Sequence, residues 1–141
     1  MEELIVYAVL WSIGYEKYDE YKEKLDQLFL QNPQDEVLLD LEGRNYKDAM
    51  LHLRYLFDER QLDFTQFSVK LMRKLKDIYA AEINLEKFGK RMYQLWKCLP
   101  SELSEEEPCN ILRYADEPLS WGDEKQCREL YEKAIYYYEN Q

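Results

Sequence analysis

Histidine is the side chain most often recruited for proton transfer, and this chain has one, His52. Asp48 stands four residues earlier, on the same face of a helix, so the pair could form a base oriented by a carboxylate. The same spacing describes a surface histidine with an ion-pair neighbour, and that is the reading adopted. No second histidine and no Glu-x-x-His motif exists to complete a zinc or di-iron site. Cys98, Cys109 and Cys127 lie 11 and 18 residues apart, an odd set with no Cys-x-x-Cys pair, so neither a zinc site nor a disulfide framework is indicated. Reduced thiols in a reducing compartment are expected. Cys98 and Cys127 fit helical patterns as small apolar core residues, and the carboxylates around Cys109 disfavour its thiolate. Ser120 to Asp123 lacks a histidine partner, and no Gly-rich phosphate loop is present. Pairs such as Asp116-Glu117 are too common among 29 acidic residues to mark a carboxylate-and-metal hydrolase. The expectation is a chain without catalysis, cofactor or metal.

Aromatic residues are the more informative excess. Thirteen Tyr, three Trp and five Phe make up 15% of the 141 residues. Tyr136 and Tyr137 cannot both join Tyr138 on one helix face, so at least one should be exposed. Tyr114 and Trp121 sit in a stretch with Glu105, Glu106, Glu107, Asp116, Glu117, Asp123 and Glu124. Large aromatics ringed by carboxylates suit the Lys and Arg side chains of a protein partner, and these nine residues are the candidate binding surface. The competing reading makes Pro118-Leu119-Ser120-Trp121 a lid that plugs Trp121 into the core. The net charge of −10 and pI of about 4.7 repel nucleic acid and anionic lipid and favour a cationic protein.

The elements that must position these residues read as helices. Only 4 Gly and 4 Pro occur, and no Asn-Gly or Asp-Gly hairpin signal interrupts the chain. Glu2 to Ile13 is apolar nearly all round and stops at Gly14; periodicity alone leaves a strand at Leu4 to Trp11 open. Tyr18, Tyr21, Leu25, Leu28 and Phe29 form an amphipathic stripe. Asn32-Pro33-Gln34-Asp35 reads as an N-cap with proline at the first helical position, opening a helix with Val37, Leu38 and Leu41. Asn45 can cap another with Tyr46, Ala49, Met50, Leu53 and either Leu56 or Phe57. Asp63 and Gln66 resemble a capping box before Phe64, Phe67, Leu71, Leu75 and Ile78. Asn84 caps a helix with Phe88, Met92, Leu95 and Trp96 that ends before Pro100. The last helix runs from Asp123 to Tyr138, with Cys127, Leu130, Tyr131, Ala134 and Tyr138 inward.

This predicts an all-α single domain, 1–141, a bundle of six to eight helices. Residues 100–123, punctuated by Pro100, Pro108, Pro118 and Gly122, are expected to be irregular apart from a turn or two at Cys109 to Tyr114. Residues 61–100 hold 8 basic and 4 acidic side chains, whereas 101–141 hold 4 and 11 and 1–60 hold 7 and 14. The acidic flanks are expected to offset much of the basic middle. Tyr131-Glu132-Lys133-Ala134-Ile135 suggests a tetratricopeptide half-unit but has no second copy. Glu2 and Glu3 precede the first apolar run where a signal peptide wants Lys or Arg, and the run is too short for a membrane span. A cytoplasmic protein is expected.

Two stretches resemble known sequences. Pro33-Gln34-Asp35-Glu36-Val37-Leu38-Leu39-Asp40-Leu41-Glu42 is similar to the acidic Leu-Leu-x-Leu-Glu helix of small bacterial immunity proteins, the antidotes of polymorphic and contact-dependent toxins. Glu107-Pro108 through Tyr114 to Gly122-Asp123 and on to Tyr131-Glu132 resembles small proteins of Gram-positive bacteria, some of that class. The resemblance implies that this chain is the neutralising partner of a toxin domain, often a basic nuclease. A helical adaptor or regulatory subunit without a toxin is the alternative.

Overall fold

A run that is apolar nearly all round has to be covered over most of its surface, and the N-terminal run is. In the computed structural model, which describes residues 2–15, 18–36, 62–82 and 84–140, it forms helix α1, Glu2–Ser12, with Leu4, Ile5, Val6, Ala8, Val9 and Leu10 all fully buried. The strand alternative therefore falls. Gly14, at φ 89°, closes α1: its N–H donates to the Trp11 carbonyl at 3.1 Å and that of Tyr15 to Leu10 at 2.9 Å. This paired closure needs a left-handed residue, which glycine supplies without a Cβ penalty.

Helix α2, Tyr18–Gln31, returns along α1 and buries Tyr21 and Leu25. Trp11 stacks on Tyr21 with ring centroids 5.1 Å apart, and Lys24 spans to Glu3 at 3.1 Å. The next start signal behaves differently from expectation. Asn32 to Asp35 is a turn closed by the Asp35 N–H on the Asn32 carbonyl at 3.1 Å, and helix is assigned again at Glu36. The expected helices around Val37, Leu38 and Leu41 and from Asn45 to Phe57, with His52 and Asp48, lie outside the described residues. The Asp63 N–H, which a capping box would give to Gln66, donates to the Glu2 carboxylate at 3.2 Å.

The chain divides into two compact units, 1–63 and 64–141. Residues 1–63 hold 7 Lys and Arg against 15 Asp and Glu, and 64–141 hold 12 against 14, so the net −10 divides as −8 and −2. All further described helices belong to the second unit: α3 (Phe64–Ala81), α4 (Leu85–Cys98), α5 (Ser101–Ser104), α6 (Ile111–Tyr114), a 3₁₀ helix (Glu117–Trp121) and α7 (Glu124–Ile135). Among the described residues the chain is all-helical, with seven α-helices and no strand.

Its core is built from the expected stripes. Phe67, Leu71 and Leu75 of α3, Phe88, Met92 and Leu95 of α4, and Cys127, Tyr131 and Ala134 of α7 are buried. Phe88 meets Tyr131 edge-on at 4.9 Å and Tyr79 at 5.5 Å, the offset geometry that ring quadrupoles favour. Asn84 caps α4 by accepting the Lys87 N–H at 3.0 Å. Helix α7 ends at Ile135, three residues sooner than predicted, and 136–140 continue as turns. Three successive tyrosines favour helix weakly, and Lys76 of α3 holds this end by pairing with Glu139 at 3.0 Å and lying over Tyr136 at 5.2 Å.

Residues 100–123 are largely helical turns and not the irregular stretch expected. Pro100 immediately precedes α5, and Pro118 occupies the first turn of the 3₁₀ helix. Proline is tolerated there, because those N–H groups have no intrahelical acceptor to lose. Pro100 and Pro118 mark helix starts, and buried Leu103, Cys109, Ile111, Leu112, Ala115 and Pro118 pin the segment down.

Candidate functional site

The 3₁₀ helix ends in Trp121, which is 63% exposed, so the core-plug reading of this residue fails. Pro118 does the burying in its place, with Leu119 half-buried. Gly122 follows at φ 80°; its N–H donates to the Leu119 carbonyl at 3.1 Å and the Asp123 N–H to Pro118 at 2.9 Å. Asp123 then caps α7 by accepting the Gln126 N–H at 2.9 Å. One short stretch thus terminates one helix, starts the next and leaves the tryptophan outside.

The nine candidate residues separate by role. Glu105, Glu106 and Glu107 are exposed at the end of α5, and Tyr114 at the end of α6 is 37% exposed. Glu117 is exposed at the first position of the 3₁₀ helix. Asp123 is engaged as a cap, and Glu124 takes two N–H bonds from Arg128, at 3.0 and 2.9 Å. Both acids sit where the positive end of a helix dipole favours them, so they stabilise α7 whatever else they do.

Asp116 and Glu124 line one hollow of about 520 Å³, together with Glu86 and Lys90 of α4 and with Leu85, Leu119 and Ser120. The other seven candidates are not among its walls. Burial pushes the Asp116 carboxyl upward, hydrogen bonding to its own backbone opposes this, and Glu117 adds to the rise. Glu86 and Lys90 were missed from the sequence, where they look like an ordinary i, i+4 pair; they lie 4.0 Å apart.

Gly89 explains how Asp116 comes so close to α4. A β-carbon there would stand 2.8 Å from the Asp116 β-carbon and 3.2 Å from the Tyr131 hydroxyl oxygen. Alanine normally stabilises a helix interior by about 1 kcal/mol relative to glycine. Here the Asp116 β-carbon, fixed to its own backbone, must retreat, at a cost of about 1–3 kcal/mol. Gly89→Ala should therefore lower the urea midpoint of unfolding; a raised midpoint would show that the Asp116 turn yields freely.

The thiols are placed for packing. Burial raises the Cys109 thiol to about 11, against a smaller lowering by the Ser68 hydroxyl 3.6 Å away. Burial, followed by the Asp116 carboxylate, raises Cys127 to about 11. Cys98 is half-buried. A disulfide reagent at neutral pH should label Cys98 in the folded protein and reach Cys109 and Cys127 only in denaturant, because the thiolate is the reacting species. Rapid labelling of all three in the folded protein would contradict these placements. Among the described residues, no three His, Cys, Asp or Glu side chains converge as metal ligands, and no helix is long and apolar enough to cross a membrane.

The chain matches no protein-family model, no curated protein and no solved structure.

Proposed function

We propose that this chain is a protein-binding module without catalytic activity, an immunity protein that neutralises a cognate bacterial toxin by covering a cationic active site. The observation that carries the reading is Trp121, a large aromatic side chain 63% exposed between Glu117 and Glu124 on a chain of net charge −10. An indole left in water on rigid helical turns has hydrophobic area to bury in a partner and little conformational freedom to lose. The carboxylates supply the complementary field. Glu105, Glu106 and Glu107 steer a basic toxin domain in, whereas Asp123 and Glu124 act mainly by fixing the turn that presents Trp121.

Co-expression with a basic, growth-inhibiting domain encoded by a neighbouring gene tests the reading. The chain should restore growth and copurify with the domain as a stoichiometric complex. Failure on both counts, with both proteins folded, removes the toxin reading. Within such a complex, reversing Glu105, Glu106 and Glu107 to lysine should slow association by about tenfold or more at low salt and by much less at high salt. A defect equal at both salt concentrations, or one confined to dissociation, would take these three residues out of the steering role.

A further inference from the structure

The sign of the surface reverses on α4. Lys90, Tyr93 and Lys97 recur at three- and four-residue spacing and are exposed. Tyr93 stacks on Trp96, centroids 5.9 Å apart and planes 26° from parallel. Each ring carries a cation on its face: Lys97 lies 5.3 Å from the Tyr93 centroid, and the Arg113 guanidinium carbon, from α6, lies 5.3 Å from the Trp96 ring. Trp96 cannot swing away easily, because its indole N–H donates to the Ser104 carbonyl at 2.8 Å. Among the described residues no carboxylate pairs with the Arg113 side chain, which lies over the Trp96 ring. With its carbon 5.3 Å from the Trp96 ring and its side chain exposed, the Arg113 guanidinium keeps N–H donors that match the two oxygens of a carboxylate.

We propose that the face formed by Tyr93, Trp96, Lys97 and Arg113 is a docking surface for an acidic, carboxylate-bearing segment of a protein partner. Charge complementarity selects this occupant over a nucleic acid. The patch offers a few cations within a chain of net −10, and the Trp96–Ser104 bond draws α5, which carries Glu102 and is followed by Glu105 to Glu107, alongside it. A polyanion that tracks across the surface meets those carboxylates, whereas a short acidic segment contributes two or three oxygens pairs and ends. The proposal does not rest on the toxin reading, because it uses the aromatic and cationic side chains of α4 and α6 and that reading uses Trp121 and the carboxylates.

The test titrates the isotope-labelled full chain with hexaglutamate at low salt, with hexalysine and a short oligothymidylate as rivals. Nuclear magnetic resonance follows the Trp96 indole N–H and the Arg113 Nε–H. Hexaglutamate should shift both signals saturably, and added salt should reverse the shifts. Arg113→Gln should weaken binding by about tenfold, the loss of a bidentate charge-assisted contact, with Arg113→Lys in between. Lys97→Gln should weaken it by about threefold, and both exposed substitutions should leave the melting temperature unchanged. Absence of saturation, Arg113→Gln binding like the parent, or tighter binding of hexalysine or oligothymidylate would each overturn the proposal.

Discussion

Trp121→Ala should leave the melting temperature within about 3 °C of the parent and speed dissociation from the cognate partner by about 10- to 100-fold. The two halves of that result have separate physical origins. An indole 63% exposed has little area buried in the fold, and removing it belongs with surface substitutions, which alter stability by about 0.5 kcal/mol or less. In a complex the same ring is an anchor whose truncation costs about 1.4–3 kcal/mol, and such losses appear mainly in the dissociation rate. Gly122 and Asp123 hold the turn independently of the tryptophan, through bonds of 2.9 to 3.1 Å. Calorimetry and partner dissociation measured on this one variant provide the check. A large fall in melting temperature with normal dissociation would return Trp121 to the core and leave the proposed surface without its anchor.

Phe88→Ala is expected to have the largest effect on stability, a loss of about 3–5 kcal/mol. Phe88 is fully buried, and its ring is flanked by Tyr131 at 4.9 Å and Tyr79 at 5.5 Å. Truncation removes apolar burial and the ring contacts and leaves a void between α3, α4 and α7 that rigid neighbours fill poorly. For a chain of this size the loss corresponds to a melting temperature lower by about 10–20 °C. Denaturant unfolding should show a reduced midpoint with little change in slope. A loss below about 1 kcal/mol would mean that the aromatic cluster is not a cooperative centre of the second unit.

These two residues were not equally readable. Phe88 stands on the apolar stripe with Met92 and Leu95 that the helical period reveals, so its burial follows from spacing alone. Its partners do not. Tyr79 and Tyr131 lie 9 residues before it and 43 after it, and nothing within the reach of a helix turn connects them. Trp121 occupies a short proline-bounded stretch with no period to read, so exposure and burial were equally compatible with its sequence. The prolines of the same stretch read as breaks in the sequence, although Pro100 and Pro118 stand where a helix start accepts one. Of the nine proposed surface residues, Asp123 and Glu124 proved to be tied into the start of α7. An acidic residue after glycine signals a cap as well as a binding group, and charge alone does not separate the two.

The sequence by itself determined the helical class, the stripes facing inward, the stop at Gly14, the cap at Asn84, and the acidic sign of the molecule. Each of these depends on residues about four apart or fewer, or on a sum over the whole chain. Only the tertiary structure decided that Trp121 is left outside, that Asp116 presses on Gly89, and that Arg113 lies over Trp96. Exposure and contact depend on which helix faces close against one another. That is set by the packing of whole elements and by the space each side chain leaves, quantities that no local spacing encodes.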